Sequence, residues 1–108
     1  MARHVLLALV NATAGCDEEF NRWYEEEHLA DVLGIPGFVG ARRYRAADAQ
    51  LTGKPAHGYL TIYEIETDDI AAAVAALRAA ASRMPLSETI DVSGGASVFY
   101  TLIGERAG

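Results

Sequence analysis

The stretch Asp17 to Phe38, DEEFNRWYEEEHLADVLGIPGF, decides the fold. Wound at 3.6 residues per turn, it puts Phe20, Trp23, Tyr24, Glu27, His28 and Asp31 on one side of a helix, at offsets 0, 3, 4, 7, 8 and 11. Asp17 can cap this helix, and Glu18 and Glu19 fill its first turn, where the helix dipole favours negative charge. It stops near Gly34, because Pro36-Gly37 cannot continue it. Three aromatics lead straight into titratable groups. A helix that buries those aromatics carries His28 toward the same interior, so His28 is either a satisfied core histidine or a proton-transfer group.

Upstream, His4 to Ala12 (HVLLALVNA) is a nearly unbroken apolar run, the pattern of a strand buried on both faces. Downstream, Phe38 to Ala46 reads as a second strand, with Phe38, Arg42 and Tyr44 on one face and Val39, Ala41, Arg43 and Arg45 on the other. Ala47 to Ala56 is a polar loop, and His57 to Glu66 alternates as a third strand. Thr67-Asp68-Asp69 opens a second, alanine-rich helix with Ile70, Val74 and Leu77 as its apolar spine, running to about Arg83. Leu86 to Gly95 reads as an irregular connection, with Gly94-Gly95 the turn before a last strand, Ala96 to Gly104.

The order β, α, β, β, α, β predicts an α+β, ferredoxin-like sandwich: a four-stranded antiparallel sheet with two helices on one face, formed by residues 1–108 as one domain. Two helices cover only one side of such a sheet. The first and last strands are apolar at successive positions, so the other side needs cover too. A second copy packed sheet to sheet supplies it, which predicts a homodimer.

Of the 108 residues 51% are hydrophobic and 22% charged, as in an ordinary globular protein. The formal charge is −6, with seven acidic residues between Asp17 and Asp31, so the surface should repel nucleic acid and anionic membranes. Cys16 is the only cysteine, which rules out an internal disulfide and a multi-cysteine metal site. It reads as a small turn residue, with a reactive thiol as the alternative. The apolar run Val5 to Val10 is six residues long, shorter than the roughly 7–15 of a secretion signal, so it is expected to be structure. No stretch approaches the ~20 apolar residues of a membrane span, and the expected location is cytoplasmic.

The run F-N-x-W-Y-x-x-x-H-x-x-D-x-L-x-x-P-G-F (Phe20 to Phe38), the Arg/Tyr-rich strand Ala41 to Arg45 and Y-L-x-x-Y-E-I (Tyr59 to Ile65) together resemble the EthD-like branch of the dimeric α/β-barrel superfamily. The resemblance implies the same fold and dimer, with a pocket in each subunit between sheet and helices. It also implies a range of chemistries, because relatives include cofactor-independent polyketide cyclases, other lyases and isomerases, cofactor-free quinone-forming monooxygenases and haem-dependent enzymes. The motif histidine falls on His28 and the motif aspartate on Asp31.

His28 is the candidate base, since imidazole titrates near neutral pH. Asp31 is placed to orient it or to bind a substrate hydroxyl, or else is a solvated helix-end residue. Phe20, Trp23, Tyr24 and Tyr59 are candidate pocket walls, the two phenols needing partners if buried; for Trp23 a plain core role is the alternative. Tyr44 and Asn11 are candidates to hold an oxyanion as charge develops on a substrate carbonyl. His4 and His57 lie at strand starts, where exposed histidines are common. No histidine has metal-ligand spacing with another donor, so neither a metal nor a haem is expected. The expected function is a cofactor-independent enzyme of cyclase, lyase or isomerase type, acting on a small aromatic or polyketide-like carbonyl compound. A cofactor-free monooxygenase oxidising a phenol to a quinone, and a non-catalytic small-ligand binder, are the alternatives.

Overall fold

Leu6 is buried and its neighbour Leu7 only half buried, so the first strand divides its residues between two unequal sides of a sheet. In the computed structural model, which describes residues 1–108, β1 (Arg3–Ala12), β2 (Phe38–Arg45), β3 (Tyr59–Glu66) and β4 (Ile90–Thr101) form one antiparallel sheet in the order β2-β3-β1-β4. The stretch after β1 is a continuous helical run: α1 (Asp17–Trp23), a π-helical turn (Tyr24–His28) and α2 (Leu29–Leu33). The second helix, α3 (Ile70–Ala81), is capped by Asp69, whose side chain accepts the Ala72 N–H at 3.1 Å. This is the expected ferredoxin-like α+β sandwich.

On the helix-covered side Leu6, Val32, Ile35, Phe38, Tyr63, Ile65 and Ala73 form one buried cluster, and Phe20, Trp23 and Tyr24 a second. On the other side the register stacks Leu7 beside Ile62 and Val98, and Leu9 beside Leu60 and Ala96. Val98 is 40% exposed there and Tyr100 59%. An apolar sheet face is thus left without helices.

Three departures from regular geometry were not expected. The first is the π turn, in which the Leu29 N–H reaches the Tyr24 carbonyl five residues back. One additional residue in a turn rotates everything after it by about 100°. Val32 and Ile35 therefore take over the buried side, while Asp31 turns out to solvent; Glu27 is exposed, as its place among three consecutive glutamates suggests. The single stripe expected from Phe20 to Asp31 ends, in effect, at His28.

The second is a bulge at Val39. Phe38 pairs with Ile65 and Gly40 already with Glu64, so Val39 has no partner and is 56% exposed. Phe38 then shares its face with Ala41 and Arg43, not with Arg42 and Tyr44 as simple alternation predicts.

The third lies in β4, which begins at Ile90 and not Ala96. Gly94 has φ +68° and sits where the β1–β4 register shifts between Leu9 and Asn11. At Gly95 a Cβ would come within 3.3 Å of the Leu9 and Val92 carbonyl oxygens. The glycine pair is therefore a kink inside the strand, and the expected irregular connection is half strand.

Candidate functional site

Phe20, Trp23 and Tyr24 are buried because α1 lays them on β3 and the end of β1, where Tyr59 and Val10 complete the cluster. His28 follows one turn later, at the end of the π turn, and is half buried. Its imidazole lies on the Trp23 indole, with centroids 4.8 Å and planes 23° apart, and meets the Tyr24 ring edge-on at 4.8 Å. Nδ1 is buried without a hydrogen-bond partner. Burial holds the imidazole below its ordinary pKa; the Asp31 carboxylate opposes this and the Arg43 guanidinium adds to it.

The bulge at Val39 delivers Arg43 to the same aromatic cluster. Its guanidinium carbon sits 4.3 Å from the Tyr24 ring centroid, 5.5 Å from Phe20 and 6.0 Å from Tyr59. Nη2 donates to Asn21 Oδ1 at 2.9 Å and Nη1 to Glu25 Oε1 at 3.2 Å, tying β2 to the helix. The side chain is 12% exposed, and Nε is buried without a partner. Beside it lies a hollow of about 230 Å³ between helix and sheet, lined by Asn21, Glu25, Arg43, Tyr44, Arg45 and Tyr59. His28 does not line this hollow, but imidazole and guanidinium share the Tyr24 ring.

The phenols are largely committed. Tyr24 and Tyr63 pair hydroxyl to hydroxyl at 3.2 Å, and burial, then the Tyr24 neighbour, drives the Tyr63 pKa up. Tyr59 donates to Asp17 Oδ2 at 2.6 Å, a bond that pushes its own pKa up. Asp17 thus holds a tyrosine; the helix N-cap is Cys16, with no side-chain cap bond, contrary to the capping role expected of Asp17.

Of the remaining candidates, Tyr44 borders the hollow but projects to the helix-free side, 46% exposed. Asn11 also faces away from the aromatic cluster: Nδ2 donates to the Ala56 carbonyl at 3.1 Å and Oδ1 accepts the Gly58 N–H at 2.8 Å, pinning the loop before β3. Asp31 is exposed and makes no bond to His28 Nδ1. His4 is a satisfied core histidine, with Nδ1 at 2.9 Å from Thr101 Oγ1 and Nε2 at 3.2 Å from the Thr67 carbonyl. His57 Nε2 is 2.6 Å from the Gly94 carbonyl. Sequence alternation missed Arg43; the signal was Gly40, a glycine inside a strand pattern, which often marks a bulge.

A larger trough of about 600 Å³ lies across the helix-free side, among Arg3, Val5, Arg42, Glu64, Tyr100 and Glu105. Of the candidate residues only His4 borders it, with both ring nitrogens engaged.

No family model matches the chain, and no curated protein matches it significantly. Solved structures do. The haem degrader MhuD of Mycobacterium tuberculosis, with two haems bound in its active site, superposes with TM-score 0.64 at 18% identity, over 96% of this chain and 99% of its own. An EthD family protein of Bacillus halodurans gives 0.51 at 15%, over 99% and 100%. The Streptomyces coelicolor monooxygenase ActVA-Orf6, in complex with nanaomycin D, gives 0.51 at 15%, over 99% and 92%. At these identities the likeness is one of fold. The chain has the ferredoxin-like fold that these three proteins share, the EthD family protein among them.

Proposed function

We propose that the chain is a cofactor-independent enzyme, a single domain acting by acid–base chemistry on a small aromatic or polyketide-like carbonyl compound, with His28 as the general base. The observation that carries this is the imidazole itself: stacked on Trp23, edge-on to Tyr24 and pushed below its ordinary pKa by burial, it keeps a buried Nδ1 that no protein group uses. A proton next to the carbonyl passes to the imidazole, the C–H electron pair becomes an enolate, and the proton is returned at another atom or lost with a leaving group. Asp31 steadies the transient imidazolium by charge, not by a hydrogen bond. The hollow of about 230 Å³ is smaller than the ~300–1,000 Å³ of common ligand pockets and so favours a single-ring compound.

A phenol-oxidising monooxygenase is the second reading, favoured by the likeness to ActVA-Orf6. It needs the same base, now acting on a phenol, and differs in consuming oxygen. The haem held by MhuD does not suit the donors here. The smaller hollow has no histidine in its lining, and His4 at the larger one has both nitrogens engaged. A non-catalytic small-ligand binder is the third reading: it expects filled space around His28, and the hollow beside Arg43 is one that His28 does not line.

The working form in this reading is a homodimer that covers the apolar face carrying Leu7, Ile62 and Val98. No helix is long and apolar enough to cross a membrane, and a cytoplasmic enzyme is the reading that suits a lone cysteine. The test is turnover of single-ring carbonyl compounds by the wild type and His28→Ala, in air and under argon. The account expects about 10²–10⁴ lower rates in the variant with its fold intact. Undiminished turnover by His28→Ala removes the base, and turnover confined to air selects the monooxygenase.

A further inference from the structure

A base that makes an enolate or phenolate needs a partner for the oxygen that becomes negative. The two residues expected in that role, Asn11 and Tyr44, and the other phenols nearby are engaged elsewhere. Both ends of the Asn11 amide hold the loop before β3. The Tyr59 proton goes to Asp17, the Tyr24 and Tyr63 hydroxyls hold each other, and Tyr44 projects to the opposite side of the sheet. Two cations on the wall of the hollow are left, Arg43 and Arg45, and Arg43 is the one set against the Tyr24 ring.

We infer that Arg43 is the anion-holding residue of the hollow beside α1, and that this hollow takes a single-ring aromatic compound bearing an anionic oxygen. A guanidinium has five N–H donors. Two of them are used, on Asn21 and Glu25, and Nε is buried with no partner. Those two bonds fix the plane of the group against the Tyr24 ring, so it is oriented before any ligand arrives. Arg45 lines the same hollow, which gives it two cations against the single carboxylate of Glu25, in a chain whose net charge is −6. Tyr59 supplies an aromatic wall. The inference rests on the proposed enzyme reading only for the choice of an oxyanion-bearing ligand; the site is built from residues other than His28.

The test uses 4-nitrophenol, whose ionisation is visible as a colour change, titrated with saturating wild-type protein. A cation within hydrogen-bonding reach should lower the ionisation pH of the bound phenol by about 1–3 units, which is roughly a ten- to thousandfold tighter hold on the anion. Arg43→Met should abolish that displacement. Arg43 also ties β2 to the helix, so Glu25→Gln serves as the second variant: it removes the competing charge at an exposed position and should enlarge the displacement. His28→Ala should leave the displacement in place while stopping turnover, so that failure of the base and failure of the anion site are told apart. A bound phenol that ionises at or above its free pH, no binding by the wild type, or a displacement unaltered in both Arg43→Met and Glu25→Gln overturns the assignment.

Discussion

The imidazole of His28 lies nearly parallel to the Trp23 indole, 4.8 Å away, at the point where the helix loosens into a π turn. The indole and the Tyr24 edge are what remove water from one side of His28. Trp23→Ala should therefore let the His28 titration rise toward the ordinary value of about 6.5. It should also destabilise the fold by about 3–5 kcal/mol, the usual cost of deleting a buried tryptophan. NMR of the ring protons and a thermal melt read both effects on one sample, and an unmoved titration would assign the shielding to other groups.

Stability should depend on pH through the same residue. Because the folded chain disfavours the imidazolium, the unfolded chain takes the proton first as pH falls through about 6.5. The contribution of His28 is thus complete above that pH, shrinks as pH falls toward the lower folded-state value, and levels off beneath it. Urea unfolding of wild type and His28→Gln at about pH 7.5 and about pH 5 isolates it: the variant should lose less stability across the interval. An equal loss in both proteins contradicts the sign.

The paired hydroxyls of Tyr24 and Tyr63, 3.2 Å apart and buried, make a third prediction. Either Tyr→Phe change alone strands the other hydroxyl and should cost about 1–3 kcal/mol. The double variant Tyr24→Phe/Tyr63→Phe should cost less than the sum, since it leaves no orphan. Strict additivity in denaturant melts would show that each hydroxyl has another partner.

The helix-free face makes the fourth. Val98→Glu puts a charge on an exposed strand position amid Leu7 and Ile62. It should convert a two-chain species to a single chain in sedimentation while the circular dichroism spectrum is kept. A wild type that sediments as one chain at micromolar concentration removes the proposed dimer.

The element order, the antiparallel sheet and the burial of Phe20, Trp23 and Tyr24 were legible in the sequence because they follow from hydrophobic period and from turn residues. The site was legible as far as His28. There the π turn ends, having added a residue, and no 3.6-residue template can foresee that Asp31 turns outward while Val32 turns in. Arg43 was hidden in the same way, since the bulge at Val39 exchanges the two faces of β2. Gly94-Gly95 looked like a turn because glycine pairs usually are one; here the close approach of the Leu9 carbonyl makes them part of β4. The first two misses are each a one-residue slip in register, and each moves a polar side chain toward or away from the helix side of the sheet; at Gly94-Gly95, β4 spends five residues between pairs where β1 spends two.

The central claim is that a sheltered, neutral imidazole stands ready to accept a proton. The most direct measurement is an NMR pH titration of the folded wild type, with the His28 ring resonances assigned by their loss in His28→Gln. The account predicts a midpoint for His28 clearly below 6.5. A midpoint at or above 6.5 would mean that the ring is solvated or ion-paired, and the proposed base would be wrong.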